Sequence, residues 1–195
     1  RSFSLKETRE WVKACDVPYK RNDSSDAMVI SVGFFKGGVG KTTLTVSLAQ
    51  GLSLKGYRVL IVDLDPQGSA SALQGLSPEH IATENTFVPL TVQPKLEDGT
   101  KNSNYSDSLQ PLTTYWAGID IVGANSELFG SDFELPMRQM NREPNFVFME
   151  VLDKALKPLK DKYDFIIIDT PPSLSYVTLN AYWAADGIVM PLPPD

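Results

Sequence analysis

A glycine-rich segment near residue 40 carries the residue types that bind a polyphosphate. It ends in Gly40-Lys41-Thr42, as the pattern G-x-x-x-x-G-K-[ST] requires, although Phe35 stands where that pattern begins with glycine. Glycines let successive backbone N–H groups turn toward phosphate oxygens, Lys41 can reach the β- and γ-phosphates, and the Thr42 hydroxyl can ligate Mg²⁺. The candidate nucleotide-binding residues are Lys36, Gly37, Gly38, Val39, Gly40, Lys41, Thr42 and Thr43.

Three aspartates follow apolar runs and could act on the bound phosphates. Asp63 and Asp65 follow one run, and Asp169 follows another. The carboxyl ends of parallel strands face the crevice where ligands bind in such sheets, and a spacing of two puts Asp63 and Asp65 on one side of an extended chain. We expect Asp169 to hold Mg²⁺ through water, opposite Thr42, and Asp63 to support the ion and its waters.

Apolar periodicity predicts the elements that position these residues. Strands are predicted at Met28–Val32, Val59–Val62, Ile119–Val122, Phe165–Ile168 and Ile188–Met190, and helices at 4–18, 42–55, 146–159 and 174–184. Strand, glycine-rich turn, helix and strand form a βαβ unit, which implies a parallel sheet with a right-handed crossover. Ser4 and Glu7 have the spacing of a capping box for the first helix. The helix at 42–55 should carry Leu44, Leu48 and Leu52 on one face, with Gly56 just after its end. Residues 92–110 are expected to form a mobile insert. The predicted fold is a doubly wound α/β domain with a short N-terminal helix, whose apolar face would contain Leu5, Trp11, Val12 and Cys15.

Composition excludes several classes of function. The single cysteine, Cys15, cannot form an internal disulfide, and with one histidine it makes an all-protein zinc or iron–sulfur site untenable. No apolar run reaches the roughly 18 residues of a membrane span, and the polar N-terminus is not a signal peptide, which indicates a cytosolic protein. Residues 1–75 carry a net positive charge and residues 76–195 a net negative one, so no DNA-binding surface is apparent.

The segment from Lys36 to Thr42 resembles the deviant Walker A motif of ParA-type partition ATPases, in the MinD/ParA superfamily. In that family the first lysine contacts the nucleotide of the other subunit, which implies this role for Lys36. The segment from Asp63 to Gln67 is similar to a switch segment whose second aspartate positions the attacking water. The resemblance therefore implies Lys36, Lys41 and Asp65 as catalytic residues. Asp169 matches the Walker B carboxylate.

The resemblance covers about residues 27–195 and is strongest to the large plasmid ParA and SopA proteins, which carry a segment similar to Trp116–Ile121. It divides the chain into an N-terminal helix and linker, 1–26, and a P-loop ATPase domain, 27–195, that is C-terminally incomplete beside the family. In the large form a winged helix precedes the ATPase and represses its own operon. Residues 3–21 are either the end of that region or a dimer-packing or linker helix.

The resemblance also implies cofactors and partners. They are ATP or ADP with Mg²⁺, a homodimer that forms with ATP and binds DNA, and a ParB-type centromere-binding protein that stimulates slow hydrolysis. DNA contacts would come mainly from regions missing or incomplete here, and the protein would be cytoplasmic and nucleoid-associated, without a membrane partner. A MinD-like membrane-cycling ATPase is the main alternative and needs a C-terminal amphipathic helix. A nitrogenase iron-protein relative or anion-pump ATPase needs cysteines that Cys15 alone cannot supply.

Overall fold

The computed structural model describes residues 3–15 and 26–192, and a six-stranded sheet forms its centre. The strands are β1 (Met28–Val32), β2 (Val59–Asp63), β3 (Leu112–Thr113), β4 (Ile119–Val122), β5 (Phe165–Asp169) and β6 (Gly187–Val189). Their order is β3-β4-β2-β5-β1-β6, and every pair is parallel except β3 with β4. The predicted doubly wound, mainly parallel sheet is therefore confirmed.

Seven α-helices and four short 3₁₀ turns are described around this sheet. The α-helices are α1 (Leu5–Ala14), α2 (Lys41–Leu54), α3 (Ser69–Leu73), α4 (Val88–Thr91), α5 (Leu128–Met140), α6 (Val151–Leu156) and α7 (Tyr176–Ala184). The 3₁₀ turns are Pro78–His80, Thr83–Asn85, Phe148–Glu150 and Lys157–Leu159. In the described part of the chain, no helix is both long and apolar enough to cross a membrane.

The central strands bury both faces, which explains their continuous apolar runs. Val59 and Ile61 of β2 join one apolar cluster with residues of α2 and α3. Leu60 and Val62 face the opposite cluster, which contains residues of α4 to α7. Because side chains alternate along a strand, Asp63 at the end of β2 continues the series that faces α2 and α3.

Helix α2 follows its predicted boundaries closely, but its buried face differs from the expected one. Its buried side chains include Thr45, Val46, Ala49 and Ser53. The predicted leucines pack only at the margin and are half-buried: Leu44, Leu48 and Leu52. Gly56 has a φ of +93°, which confirms the expected glycine just after the helix.

The first helix has the predicted capping box but not the predicted apolar face. Ser4 accepts a hydrogen bond from the backbone N–H of Glu7, and the Glu7 carboxylate accepts one from the backbone of Ser4. Trp11 and Cys15 are exposed, so their assignment to a packed face is wrong. The helix ends at Ala14, and the predicted part at 16–18 lies outside the described residues.

Two regions between the motifs differ from the sequence-based expectation. Helix α5 was not predicted. Its solvent-facing side carries large apolar residues, so the sequence lacks the alternation of apolar and polar faces that indicates an amphipathic helix. These exposed residues are Phe129, Phe133, Met137 and Met140. The single helix expected at 146–159 is divided into α6 and its two flanking 3₁₀ turns.

Residues 92–110, the segment expected to be a mobile insert, contain no strand or helix beyond one isolated bridge. One residue of this segment, Leu109, is nevertheless buried in the core.

Arg9 attaches α1 to the far end of α2. Its side chain is 6% exposed and donates hydrogen bonds to the carbonyl and hydroxyl of Ser53 and, at 3.1 Å, to the carbonyl of Tyr57. The last carbonyls of a helix lack partners within it, so a guanidinium with five donors is well suited to this place. A Cβ at Gly118 would overlap the guanidinium, so glycine leaves the space that Arg9 fills.

Replacing Arg9 is expected to destabilise the chain. Arg9→Ala leaves acceptors at the end of α2 without their charged donor, which should lower the free energy of unfolding by about 2 kcal/mol. Urea denaturation followed by circular dichroism measures the change. Lys6→Ala, an exposed cation on the same helix, is the control and should change stability little. Equal stability of the two variants would contradict the docking role.

Candidate functional site

The glycine-rich loop between β1 and α2 leaves the first turn of α2 open to a ligand. Gly38 and Gly40 have φ values of +73° and +87°, in the left-handed region that favours glycine. Gly40 is the N-cap of α2 and supplies no side-chain hydrogen bond, whereas Ser4 and Ser175 cap α1 and α7 with their hydroxyls. The first N–H groups of α2 are therefore available to an anion, with the positive end of the helix dipole behind them.

The glycines of the loop border open space. A Cβ placed on Gly37, Gly38 or Gly40 would meet no heavy atom within 4 Å. Gly33, where the chain leaves β1, is different, because a Cβ there would overlap the ring of Tyr182 in α7. The loop thus keeps room for a ligand on one side and is packed tightly against α7 where it begins.

The two lysines of the loop have opposite environments. Lys41 is 7% exposed, and its ammonium group donates a 3.3 Å hydrogen bond to the carbonyl of Lys36. Lys36 is exposed and forms no ion pair with any residue of the described ranges. Lys41 is thus held over the loop, while the Lys36 side chain remains available to another molecule.

Asp169 lies at the end of β5 and has one unused carboxylate oxygen. The Thr45 hydroxyl donates to its Oδ1 at 3.0 Å, whereas its buried Oδ2 has no hydrogen-bond partner. Burial raises the pKa of Asp169 to about 6, while the neighbouring hydroxyls of Thr42 and Thr45 and the charge of Lys41 lower it and the charge of Asp65 raises it further. The Thr42 hydroxyl is close enough to act on the carboxyl group but is not within hydrogen-bonding geometry of Oδ2. A free carboxylate oxygen beside a threonine hydroxyl is an oxygen donor set that fits Mg²⁺.

Asp63 is fully buried and has its partners within the protein. Its Oδ2 accepts hydrogen bonds from the backbone N–H and the hydroxyl of Ser71, both at 2.8 Å, and its Oδ1 accepts one from the N–H of Asp65 at 3.2 Å. The Ser71 hydroxyl in turn accepts from the N–H of Ala124 at 3.0 Å. Burial, followed by the charge of Asp169, raises the pKa of Asp63 to about 7. These contacts favour a role in shaping the segment after β2, and the assignment of Asp63 to the metal stays a prediction.

Asp65 lies in a turn beyond the end of β2, in surroundings unlike those of Asp63. Its Oδ1 accepts a 3.0 Å hydrogen bond from the N–H of Gln67, and its carbonyl accepts one from the N–H of Gly68. Asp65 is partly exposed while Asp63 is buried, so the two carboxylates have different surroundings, and the expectation that they share one side of the chain stays a prediction. The turn leaves the Asp65 carboxylate at the edge of the site.

The predicted residues meet at the carboxyl edge of the sheet. Thr42, Lys41 and Asp65 all lie close enough to Asp169 there to shift the pKa of its carboxyl group. Sequence reasoning missed Thr45 and Ser71, which hold the two buried aspartates. The signal for Thr45 was its position three residues after Thr42, on the same side of a helix. The nucleotide and metal roles of the individual residues stay predictions.

Comparison with known proteins places the chain in a family. The AAA_31 model, described as an AAA domain, matches residues 27–195. The chain is 38% identical over 180 residues to a putative replication protein A of Sinorhizobium fredii, which covers 91% of the chain and 42% of that protein. It is 37% identical over 164 residues to the chromosome partitioning protein ParA of Myxococcus xanthus, which covers 84% of the chain and 51% of that protein.

The chain belongs to the AAA_31 family, in its ParA-type group. This ParA-type chain spans about half the length of the curated relatives it matches, or less. Its fold also resembles a cobyrinic acid a,c-diamide synthase of Mycobacterium smegmatis solved with an ATP analogue and magnesium. That structure has a TM-score of 0.69 and 32% identity, over 85% of this chain and 58% of the synthase.

The buried aspartates predict how the stability of the ParA-type chain depends on pH. Both have pKa values raised above those of unfolded aspartates, near 4, so the folded chain binds more protons between about pH 4 and pH 7. The free energy of unfolding, measured without nucleotide or metal, should receive a contribution from them that falls as pH rises through this range. Urea denaturation at several pH values measures it.

Asp169→Asn isolates one of the two groups. The variant should lose the part of the pH dependence that Asp169 contributes, so the stability difference between wild type and variant should change between about pH 4 and pH 6. Asp161→Asn, at an exposed aspartate, is the control. A constant difference between wild type and Asp169→Asn across the range would contradict the raised pKa.

Proposed function

We propose that this chain is the nucleotide-binding part of an ATP-dependent partition protein that segregates a plasmid or chromosome. The observation that carries the proposal is the joint placement of an uncapped helix N-terminus, the buried Lys41 and the unpaired Oδ2 of Asp169, beside an exposed Lys36. The first three fit a nucleotide polyphosphate with Mg²⁺, and the exposed lysine fits a nucleotide held by a second subunit. The cofactors are ATP or ADP with Mg²⁺.

Binding follows from the groups at the loop. The N–H groups at the start of α2 and in the loop donate hydrogen bonds to the phosphate oxygens. The Lys41 ammonium group leaves the Lys36 carbonyl and binds the β- and γ-phosphates instead. Thr42 and Asp169 would hold the ion, and Asp63 would support the ion and its waters. When bound, Mg²⁺ neutralises charge that develops on the phosphoryl group. The chain's own cations, Lys36 and Lys41, add to this stabilisation.

Hydrolysis depends on a positioned water. Asp65 orients that water toward the γ-phosphate, because its turn holds the carboxylate at the site edge without burying it. The backbone of this turn is tied to Asp63 and, through Ser71, to the segment after β4. The backbone of the turn is therefore anchored, while the partly exposed Asp65 carboxylate is accessible to water beside the γ-phosphate. The reaction is slow until a partner protein stimulates it.

The nucleotide acts as a switch in this proposal. ATP brings two subunits together with Lys36 of each near the nucleotide of the other, the dimer binds DNA, and a ParB-type centromere-binding protein triggers hydrolysis and release. The protein is cytoplasmic and nucleoid-associated. Residues 27–195 form the ATPase domain, and residues 1–26 form a helix and linker, which in an operator-binding form would join a winged helix that autoregulates the operon.

The fold alone does not establish this function, because a protein named as a synthase has a similar fold. The partition role is supported by the name of the Myxococcus relative and by the paired lysines and the Asp63–Gln67 segment of this chain. A MinD-like membrane-cycling ATPase uses the same nucleotide switch and remains the alternative. Binding of the ATP form to anionic vesicles rather than DNA would favour it.

Lys36→Ala should separate nucleotide binding from dimer formation. Sedimentation velocity with Mg²⁺ should give a dimer of the wild type with a non-hydrolysable ATP analogue and a monomer with ADP. The variant should remain monomeric in both, because it lacks the cation proposed to bridge the subunits. Lys55→Ala, at the other end of α2, is the control and should dimerise. A wild type that stays monomeric throughout, or a variant that dimerises normally, would contradict the switch.

Asp65→Ala should keep nucleotide binding and lose hydrolysis, since only the water is left without its orienting carboxylate. We expect ATP turnover to fall by at least about 100-fold, as when a positioned general base is removed, and the ATP form to accumulate. Phosphate release and retention of a fluorescent ATP analogue measure the two effects. Lys41→Ala is the contrasting variant and should lose nucleotide binding itself. Normal turnover in Asp65→Ala would refute its assignment.

A further inference from the structure

Thr45 occupies a position on α2 that the phosphate-binding motif does not include. It lies one helical turn beyond Thr42 and is 0% exposed. A threonine hydroxyl inside a helix commonly bonds back to a carbonyl of the preceding turn. The Thr45 hydroxyl instead donates to Oδ1 of Asp169 on β5, at 3.0 Å, across 124 residues of sequence.

This hydrogen bond divides the Asp169 carboxylate into two different oxygens. Oδ1 has a partner fixed by the helix, whereas Oδ2 is buried and has none. A carboxylate held by one oxygen has its plane defined, so its other oxygen is presented in one direction. Because α2 also begins at the phosphate-binding loop, the same helix fixes the phosphate donors and the orientation of Asp169.

We propose that Thr45 is a positioning residue for Mg²⁺, which fixes Asp169 so that Oδ2 receives the ion or its water. The proposal rests on the nucleotide site proposed above. Residues that orient metal-binding groups influence metal affinity by about 10- to 100-fold, and a buried threonine that reaches the carboxylate is placed to act in this way. Thr45 itself touches neither the ion nor the nucleotide.

Substitutions at Thr45 distinguish this role from simple packing. Thr45→Val keeps the shape and removes the donor, so Asp169 loses its fixed oxygen. Thr45→Ser keeps the donor and removes one methyl group, so it should rescue metal binding even if it lowers stability. Ser53→Ala is the matched control, since it removes another buried hydroxyl from the same helix, at the end that contacts Arg9.

The test measures metal binding directly on the purified chain. Binding of Mn²⁺, as a paramagnetic substitute for Mg²⁺, is followed by electron paramagnetic resonance with ADP present, and competition with Mg²⁺ gives the affinity of the natural ion. ADP affinity in the presence of EDTA is measured separately with a fluorescent analogue. We expect Thr45→Val to weaken metal binding about tenfold while ADP affinity in EDTA stays unchanged. Thr45→Ser and Ser53→Ala should bind the metal as the wild type does.

Several outcomes would overturn the proposal. Wild-type metal affinity in folded Thr45→Val would show that Asp169 does not depend on the Thr45 hydrogen bond for its orientation. An equal loss of ADP binding in the absence of metal would instead make Thr45 part of the phosphate site. Failure of Thr45→Ser to rescue would assign the effect to packing. If Thr45→Val does not fold, Thr45→Ala removes the same donor and must show the same selective loss. A wild type that binds neither ADP nor Mn²⁺ would refute the nucleotide site itself.

Discussion

Two carboxylates buried side by side constrain the whole carboxyl edge of the sheet. Asp63 and Asp169 are register partners at the ends of adjacent strands β2 and β5, and both are 0% exposed. Burial of a carboxylate is unfavourable unless hydrogen bonds or cations compensate it. Asp63 is compensated by Ser71 and by the N–H of Asp65, so it organises the chain around it. Asp169 is compensated on one oxygen only, which leaves it dependent on a ligand.

Helix α2 connects the parts of the molecule that depend on this pair. Its N-terminus is open for phosphates, its second turn holds Asp169 through Thr45, and its last turn receives Arg9 from α1. A helix is rigid over fourteen residues, so these three contacts cannot move independently. The site is thus built on one helix packed against two strands.

The sequence predicted the site best where a motif fixes the chemistry locally. The glycine loop, Lys41 and Asp169 were placed correctly at the edge of a parallel sheet, because apolar runs followed by such residues leave few alternatives. Two hydrogen bonds of Asp63 come from Ser71, eight residues later, after the chain has turned back toward the end of β2. The spacing of the residues in the sequence does not predict that turn. Arg9 was missed for a similar reason, since a charged residue is not expected to be the buried contact of a helix.

The unpaired oxygen of Asp169 has a consequence for the lifetime of the protein in a growing cell. A ligand that binds only the folded chain shifts the folding equilibrium by mass action, and the unfolded population is the one that proteases remove. The nucleotide-free form carries a buried carboxylate with one oxygen unpaired, so it unfolds more readily than the occupied form would. A bound nucleotide with magnesium would therefore protect the folded chain against proteolysis, in proportion to how fully the site is occupied.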